Sequence, residues 1–506
     1  MSPDLHAAPG IVAIILVTTA TLLIGTWGLR FSRTTSDFFV ASRTVHPRLN
    51  ASAIGGEYLS AASFLGVAGL VLLNGADMLW YPVGWTAGYL VLLVLVAAPL
   101  RRSGAYTLPD FAEARLGSRA VRSACSLLVV AIGWLYLLPQ FQGAGLTLRF
   151  AVGAPTWAGP VIVSLVVLAN VTSGGMRSIT FVQAFQYWLK LTALLVPALV
   201  LLSVWLGDGA PRVPLGEEWS AALGSEGLSG LYVTYSLIIA TFLGTMGLPH
   251  VVVRFYTNPD GRAARRTTLV VLVLLGAFYL LPPVYAALGR IYAPELAAPG
   301  RSDALVLELP SIMVGGMLGE VLTAVVTAGA FAAFLSTSSG LCIAVAGVLS
   351  QDVTGRAWWA GRRLGGVAAF RLGAVVAVTV PCAVALLVPS IGVARAVGLA
   401  FAMAAATFCP LLLLGIWWRH LTDVGALAGL AVGGIGSSVA IGWTVVVGTP
   451  EGWADVLMGQ PAAWTVPLAV LTMVVVSLLT AARVPPATGR LMTRLHAPEG
   501  LELDRG

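Results

Sequence analysis

The sequence predicts an all-α polytopic membrane protein of about thirteen transmembrane helices, built on an inverted five-helix repeat core with two discontinuous helices. Three observations carry that prediction. Of 506 residues, 58% are hydrophobic and 10% charged, where soluble domains run about 25% charged. Apolar runs near twenty residues recur from end to end, each long enough to span a hydrocarbon core of about 30 Å. Two of those runs, five spans apart, are interrupted by glycine, proline and hydroxyl residues. The short alternating strands of an outer-membrane barrel are not seen.

The runs fall at 10–30, 49–74, 80–100, 121–149, 157–174, 180–206, 228–255, 266–289, 311–350, 368–388, 391–418, 423–447 and 463–482. The first is preceded by Asp4 and His6 and followed by Arg30, Arg33, Arg43 and Arg48, the reverse of a signal peptide, so the N-terminus is expected outside. The second carries the first interruption. Arg101 and Arg102 close the third, and Arg115, Arg119 and Arg122 lead into the fourth, marking an inner loop. The fifth and sixth meet at Arg177. The seventh holds the second interruption and ends at Arg254, with Arg262, Arg265 and Arg266 leading into the eighth. The ninth is too long for one straight crossing and is expected to include an outer interfacial helix. Arg356, Arg362, Arg363 and Arg371 collect around the start of the tenth, and Arg483, Arg490, Arg494 and Arg505 place the tail inside. Acids occupy the opposite loops: Asp77, Asp208, Glu217, Glu218, Glu226, Glu295, Asp303, Glu308, Glu451 and Asp455. This is the positive-inside pattern, with an outer N-terminus and a cytoplasmic C-terminus.

The expected organisation is an N-terminal helix and inner loop (1–48), a first five-helix repeat (49–206), an outer loop (207–227), a second, inverted repeat (228–418), two C-terminal helices (419–482) and a cytoplasmic tail (483–506). The net charge of +7 follows topology and does not point to nucleic acid. Lys190 is the only lysine among 29 basic residues; it is read as snorkelling or facing a cavity, with no role. Cys125, Cys342, Cys382 and Cys409 are isolated in apolar runs and read as packing residues. No GxxxxGK[ST] loop is present, so ATP hydrolysis is excluded and a gradient must drive any transport. No metal-ligand spacing, nucleophile–base pair or cofactor loop suggests an enzyme.

The interruptions are "AIGGEYLSAASFLG" (53–66) and "TFLGTMGLPHVVVRF" (241–255). Where a helix unwinds, carbonyls and amides lose their partners, at several kcal/mol each in lipid. A bound cation can take the carbonyls, and an anionic substrate the amides at half-helix N-termini. A kink repaired by neighbouring helices is the alternative for one such segment; the matched pair points to an inverted-repeat transporter.

In the ninth span Ala333, Ser336 and Thr337 share one helical face. Two hydroxyls and a local carbonyl, with the carbonyls of Gly56 and Leu59, would make a five-oxygen site for Na⁺. Bonding of the hydroxyls to their own helix is the alternative, and Ser338 or Ser339 can substitute in the register.

At these residues the sequence resembles the sodium:solute symporter family, in its acetate/monocarboxylate (cation acetate symporter) branch. The likeness spans nearly the whole chain and rests on "GGEYLSAASFLG", "GAYTLPDF" (104–111), "GGMRSITFVQ" (174–183), "GTMGLPHVVVRF" (244–255), "LSTSSG" (335–340) with "SQDV" (350–353), and "GIWWRHLTDVGA" (415–426). The resemblance implies a LeuT-like core of two inverted repeats, one helix before it and two after. It implies one sodium site at Gly56, Leu59, Ala333, Ser336 and Thr337. An aspartate used by sugar and proline members near the sodium exit path is here Gln183, as the monocarboxylate branch would have it.

Substrate positions carried over are Ser63, Pro82, Trp85, Thr241, Thr245 and Ala402; Ser60, Gln140 and Gln142 are further polar candidates. So small and apolar a set cannot pair a sugar's hydroxyls, each about 1–3 kcal/mol if left unmet, and suits a short carboxylate. Glu57 either raises cation affinity, relays a proton, or bonds to backbone or an inner-face arginine. His250 is a coupling or packing candidate, and Arg254 is read as an anchor at the inner surface. The implied activity is symport of a small monocarboxylate such as acetate, propionate or pyruvate with Na⁺ (H⁺ possible). The setting is the bacterial inner (plasma) membrane, with substrate, ion and lipid bilayer as partners and no other cofactor. The alternatives are a proline-like amino-acid carrier and a non-transporting solute sensor.

Overall fold

The computed structural model of the chain describes residues 4–28, 30, 38, 40–214, 216–221, 223, 227–298, 300–354, 366–388, 392–447 and 452–499. Of the charged residues used for orientation, Arg33, Arg356, Arg362, Arg363, Arg505, Glu226 and Glu451 lie outside them. Every regular element among the described residues is helical.

Eleven helices are long and apolar enough to cross a membrane, and one bent pair adds a twelfth span. In chain order these helices and the shorter ones that matter here are α1 (Asp4–Gly28), α2 (Pro47–Tyr58), α3 (Ala62–Asn74), α4 (Ala76–Ser103), α5 (Leu108–Leu116), α6 (Arg119–Val152) and α7 (Ala158–Gly207). They continue with α8 (Gly227–Gly247), α9 (Pro249–Val253), α10 (Gly261–Tyr292), α11 (Leu305–Val314), α12 (Gly316–Asp352), α13 (Gly366–Leu387), α14 (Val393–Trp417), α15 (Asp423–Val447), α16 (Ala462–Leu479) and α17 (Thr488–His496). The fifty residues of α7 would make a rod of roughly 75 Å, more than twice a ~30 Å hydrocarbon core. The helix breaks direction at Gly175, whose φ is +58°. Divided there, α7 supplies two crossings and the total is the expected thirteen. The overlong ninth run resolves as the short helix α11, a turn at Gly315 (φ +65°), and α12.

Burial separates centre from periphery. The spanning stretches of α14, α8–α9 and α12 are 89%, 78% and 72% buried, against 28% in α1 and 33% in α7, so the first three form the middle of the bundle. Outward-facing apolar side chains such as Leu16, Leu90, Val273 and Leu471 belong to the lipid face.

The bend falls between α2 and α3, at 70°. Leu59 leaves helical geometry (φ −71°, ψ 83°). The amide of Ser60, which an unbroken helix would aim at the Gly56 carbonyl, turns to Tyr58 (2.8 Å). The second interruption lies between α8 and α9, where Leu248 is extended and Pro249 starts the next half. Proline suits that place because it has no amide to satisfy.

Several motifs hold the arginine-rich end together. Thr107 and Asp110 form a capping box at α5. Arg122 gathers Asp110 (2.8 Å), Glu113 (2.7 Å) and Asp352 (2.6 Å), joining α5, α6 and the end of α12. Buried Arg115 donates to the carbonyls of Gly415 (2.8 Å) and Trp418 (3.0 Å) at the C-terminal end of α14. "GAYTLPDF", "SQDV" and "GIWWRH" therefore brace one end of the bundle.

A β-carbon at Gly175 would meet the Phe38 ring at 2.6 Å on top of its positive φ, whereas one at Gly276 in α10 would meet nothing within 4 Å. Gly175→Ala is expected to cost about 1–2 kcal/mol or more. Gly276→Ala should be neutral or stabilising by up to about 1 kcal/mol. Thermal melts of the two variants in detergent make the comparison.

Candidate functional site

The bend in α2–α3 lies against α7 and α12. Gly55 and Gly56 let α2 sit flush on α7: a β-carbon on Gly55 would strike the Tyr187 ring at 2.8 Å, and one on Gly56 the Gln183 carbonyl at 2.0 Å. Small residues at a helix–helix contact in lipid permit this approach. Tyr187 and Lys190 follow Gln183 at i+4 and i+7, so all three face α2.

Lys190, fully buried, reaches from α7 into the bend. Its Nζ donates to the carbonyls of Gly56 and Leu59 (2.7 Å to the latter) and to Ser336 Oγ on α12 (2.9 Å). Three of the five groups expected to cage a cation thus surround the Lys190 Nζ. The other two are engaged elsewhere. The Ala333 carbonyl accepts from Ser336 Oγ (3.1 Å), and Thr337 Oγ1 donates to the Glu57 carbonyl (2.6 Å). Ser338 is buried, with no hydrogen-bond partner at its hydroxyl among the described residues. Of the two readings of Lys190, snorkelling or facing a cavity with no role, neither describes it: its acceptors lie at the broken helix, and it turns inward to them.

The acid beside this point is answered by an arginine. Glu57 Oε2 accepts from Arg254 Nε at 2.6 Å, both side chains being buried. Arg254 also donates to Thr180 Oγ1 (3.0 Å) and to Gln183 Oε1. Gln183 Nε2 in turn donates to the Ser336 carbonyl (2.9 Å). Arg254 is therefore no surface anchor, since Glu57 draws it into the core. A β-carbon on Gly340 would fall 2.1 Å from Glu57 Oε1, so this glycine clears the space for the carboxylate.

On the far side of the bend, aromatic rings gather around Phe401 of α14. Tyr58, Trp85 and Tyr136 lie 6.2, 5.6 and 6.0 Å from it between centroids, and Tyr279 lies 5.9 Å from Trp85. Ser63 pairs with the Tyr279 hydroxyl (2.8 Å). Thr245 Oγ1 donates to the Thr241 carbonyl (2.8 Å) and pairs with the Tyr58 hydroxyl (2.7 Å). Gln140 Oε1 receives the Ala61 amide (3.4 Å) just past the break. Ser60 is buried at the break itself. Trp85 Nε1, Gln140 Nε2 and both ring nitrogens of His250 are buried without partners among the described residues. His250 stands edge-on to Tyr136 at 5.4 Å.

The structure thus brings Ser60, Ser63, Trp85, Gln140 and Thr245 to the break. Thr241 stands one turn before Thr245, its hydroxyl bonded back to Leu237 (2.8 Å). Two expected residues are elsewhere. Gln142, two positions from Gln140 and so on another face, donates to the Val388 carbonyl (2.8 Å). Ala402 packs with Ala240, Ala462 and Val466, and its neighbour Phe401 takes the position facing the site. Sequence reasoning missed Phe401 by one residue, about 100° on a helix. It missed Lys190 although an ionisable residue at mid-span is a functional candidate by default.

A model described as "Sodium:solute symporter family" matches residues 38–433. "Uncharacterized symporter YwcA" of Bacillus subtilis is 31% identical over 451 residues, covering 87% of each chain. "Monocarboxylic acid transporter" of Corynebacterium glutamicum is 30% identical over 505 residues, covering 92% of this chain and 90% of the relative. A solved Na⁺-coupled sialic acid symporter in a substrate-bound outward-open state is similar at TM-score 0.70. It is 15% identical, and the match covers 94% of this chain and 98% of that one, a likeness that shows the fold.

Removing one member of a buried ion pair strands the other, at about 3–5 kcal/mol. Glu57→Gln and Arg254→Gln are each expected to destabilise the protein on that scale. The double variant should lose clearly less than the sum. Unfolding midpoints of the four proteins supply the cycle.

Proposed function

The chain belongs to the sodium:solute symporter family, and from that premise we propose that this secondary active symporter carries a small monocarboxylate together with a cation by alternating access. It is a transporter and not an enzyme. Membership implies Na⁺ as the coupling ion. The carboxylate is the finer step, and one observation carries it: the site at the break is walled by Tyr58, Trp85, Tyr136, Tyr279 and Phe401, with Trp85 Nε1 and Gln140 Nε2 as unmatched buried donors. Such a lining suits a short apolar tail and one acceptor group. It cannot pair the hydroxyls of a sugar, each of which would cost about 1–3 kcal/mol unmet.

Charge supports the same reading. Glu57, Lys190 and Arg254 are linked through Gln183 and Ser336. With Lys190 as an ammonium and Glu57 as a carboxylate, two cations against one acid would leave one positive charge here, which a monoanion balances. The Corynebacterium relative is named for monocarboxylic acids, which agrees. The arginine-rich end is placed in the cytoplasm of a bacterial cell on the positive-inside pattern. On this reading the six segments named from the sequence, 1–48 to 483–506, keep their roles.

Proteoliposomes holding the purified chain are expected to take up labelled acetate, propionate or pyruvate saturably, and not proline, with Na⁺ and pH gradients imposed separately. Trp85→Ala and Phe401→Ala should each raise KM about tenfold or more through lost apolar contact. Uptake of proline with no uptake of the acids would turn the assignment to the amino-acid alternative.

A further inference from the structure

We infer that the Lys190 ammonium is itself the cation of this carrier's mid-depth site, tethered to the chain, and that binding and transport do not require Na⁺. The inference rests on the reading of the chain as a cation-coupled carrier of a monocarboxylate and departs from it in the ion alone: Na⁺, which membership implies, is not the cation this chain carries, and the acid is unchanged.

The first support is identity of position. The carbonyls of Gly56 and Leu59 and the hydroxyl of Ser336 are the groups that would hold a coupling ion, and all three accept from Lys190 Nζ. The second is the proton count. Ser336 gives its one hydroxyl hydrogen to the Ala333 carbonyl, and the two backbone carbonyls have none to give. All three are therefore pure acceptors toward Nζ, and three donated bonds require an ammonium, since a neutral amine has two N–H groups.

The third support is the state of the remaining ligands. Thr337 Oγ1 donates to the Glu57 carbonyl and the Ala333 carbonyl accepts from Ser336, which leaves lone pairs on both but only two oxygens. A sodium ion wants about five or six oxygens, and the other three of this cluster already accept from Lys190 Nζ. Two cations also cannot share one set of acceptors. The residues present therefore do not fit Na⁺ at this position while Lys190 stands there.

Tethering has a mechanistic consequence. The break needs a positive charge at the C-terminal end of α2, where carbonyls are released and the helix dipole is negative. A free ion fills that place only in proportion to its concentration. A side chain fills it at every stage and is not carried across, so the Na⁺ gradient does no work through this site. Lys190 is a positioning residue: it fixes α2, α7 and α12 relative to each other.

The test uses the full chain, wild type and Lys190→Ala. Purified protein is melted in NaCl and in KCl at equal ionic strength, because an ion that binds the folded state raises the midpoint with its concentration. Uptake or counterflow of the accepted acid is then measured in proteoliposomes with the same two salts. The wild type is expected to show the same midpoint and the same rate in both. Lys190→Ala should lose about tenfold or more of its rate in KCl, with its acceptors left unpaired. It should recover in NaCl, with a midpoint that now rises with Na⁺.

A Na⁺-specific rise in the wild-type midpoint, or a wild-type rate that falls about tenfold when K⁺ replaces Na⁺, overturns the inference. So does a Lys190→Ala protein as fast as wild type in KCl. If that variant does not fold, the wild-type arm decides alone. If none of the acids is taken up, the substrate assignment fails, while the melting arm, which needs no substrate, still decides on the ion.

Discussion

A helix that stops in the middle of a bilayer must find partners for the carbonyls it releases, and the rest of this molecule is arranged around that requirement. Gly56 and Leu59 lose their amide partners at the bend in α2–α3. Both residues are buried here, so the donors come from the chain. α7 brings Lys190 and α12 brings Ser336 to the same point. Three helices from distant parts of the sequence are thereby pinned together, and the glycines around them follow. Gly55 and Gly56 exist so that α2 can approach α7, and Gly340 so that the Glu57 side chain can lie beside α12.

A second layer ties the two interrupted helices to each other. Glu57 lies at the end of α2 and Arg254 just past α9, and their ion pair is buried with Gln183 and Thr180 as further partners. Buried pairs add little net stability against apolar replacements, yet breaking one is costly. This pair therefore acts less as glue than as a constraint: the two breaks keep their relative position wherever both charges stay dry. The aromatic group around Phe401 lies on the opposite side of the bend. The polar cluster and the apolar lining thus meet at the released backbone, where an anion with an apolar tail would touch both.

Much of this was legible in the sequence because membranes leave few choices. Run length fixes the crossings, arginine placement orders the loops, and a glycine or proline in an apolar run marks a break. The thirteen spans, both interruptions and most of the groups at the break follow from those rules. What did not follow is where side chains go once they are buried. Nothing along the chain says that Lys190 turns toward Gly56 rather than the membrane surface, or that Arg254 folds inward to Glu57. Those outcomes depend on acceptors supplied by other helices. Helical register fails for the same reason. Gln142 and Ala402 are each within two residues of a side chain that does reach the site, and one or two residues turn a side chain to another face.

Residue 183 shows how tightly the parts constrain one another. The resemblance implies an aspartate there in sugar- and proline-carrying relatives, and this chain has Gln183. The amide works in both directions, Nε2 donating to the Ser336 carbonyl and Oε1 accepting from Arg254. A carboxylate has no proton to give, so an aspartate would take from the Ser336 carbonyl its side-chain donor. It would also compete with Glu57 for Arg254 and add a second negative charge beside it. A site that draws in a free cation gains from an added acid. On the proposal that the site's cation is the Lys190 side chain and its cargo an anion, an added acid is a loss. The neutral amide at 183 and the lysine at 190 are thus two consequences of one arrangement of charge.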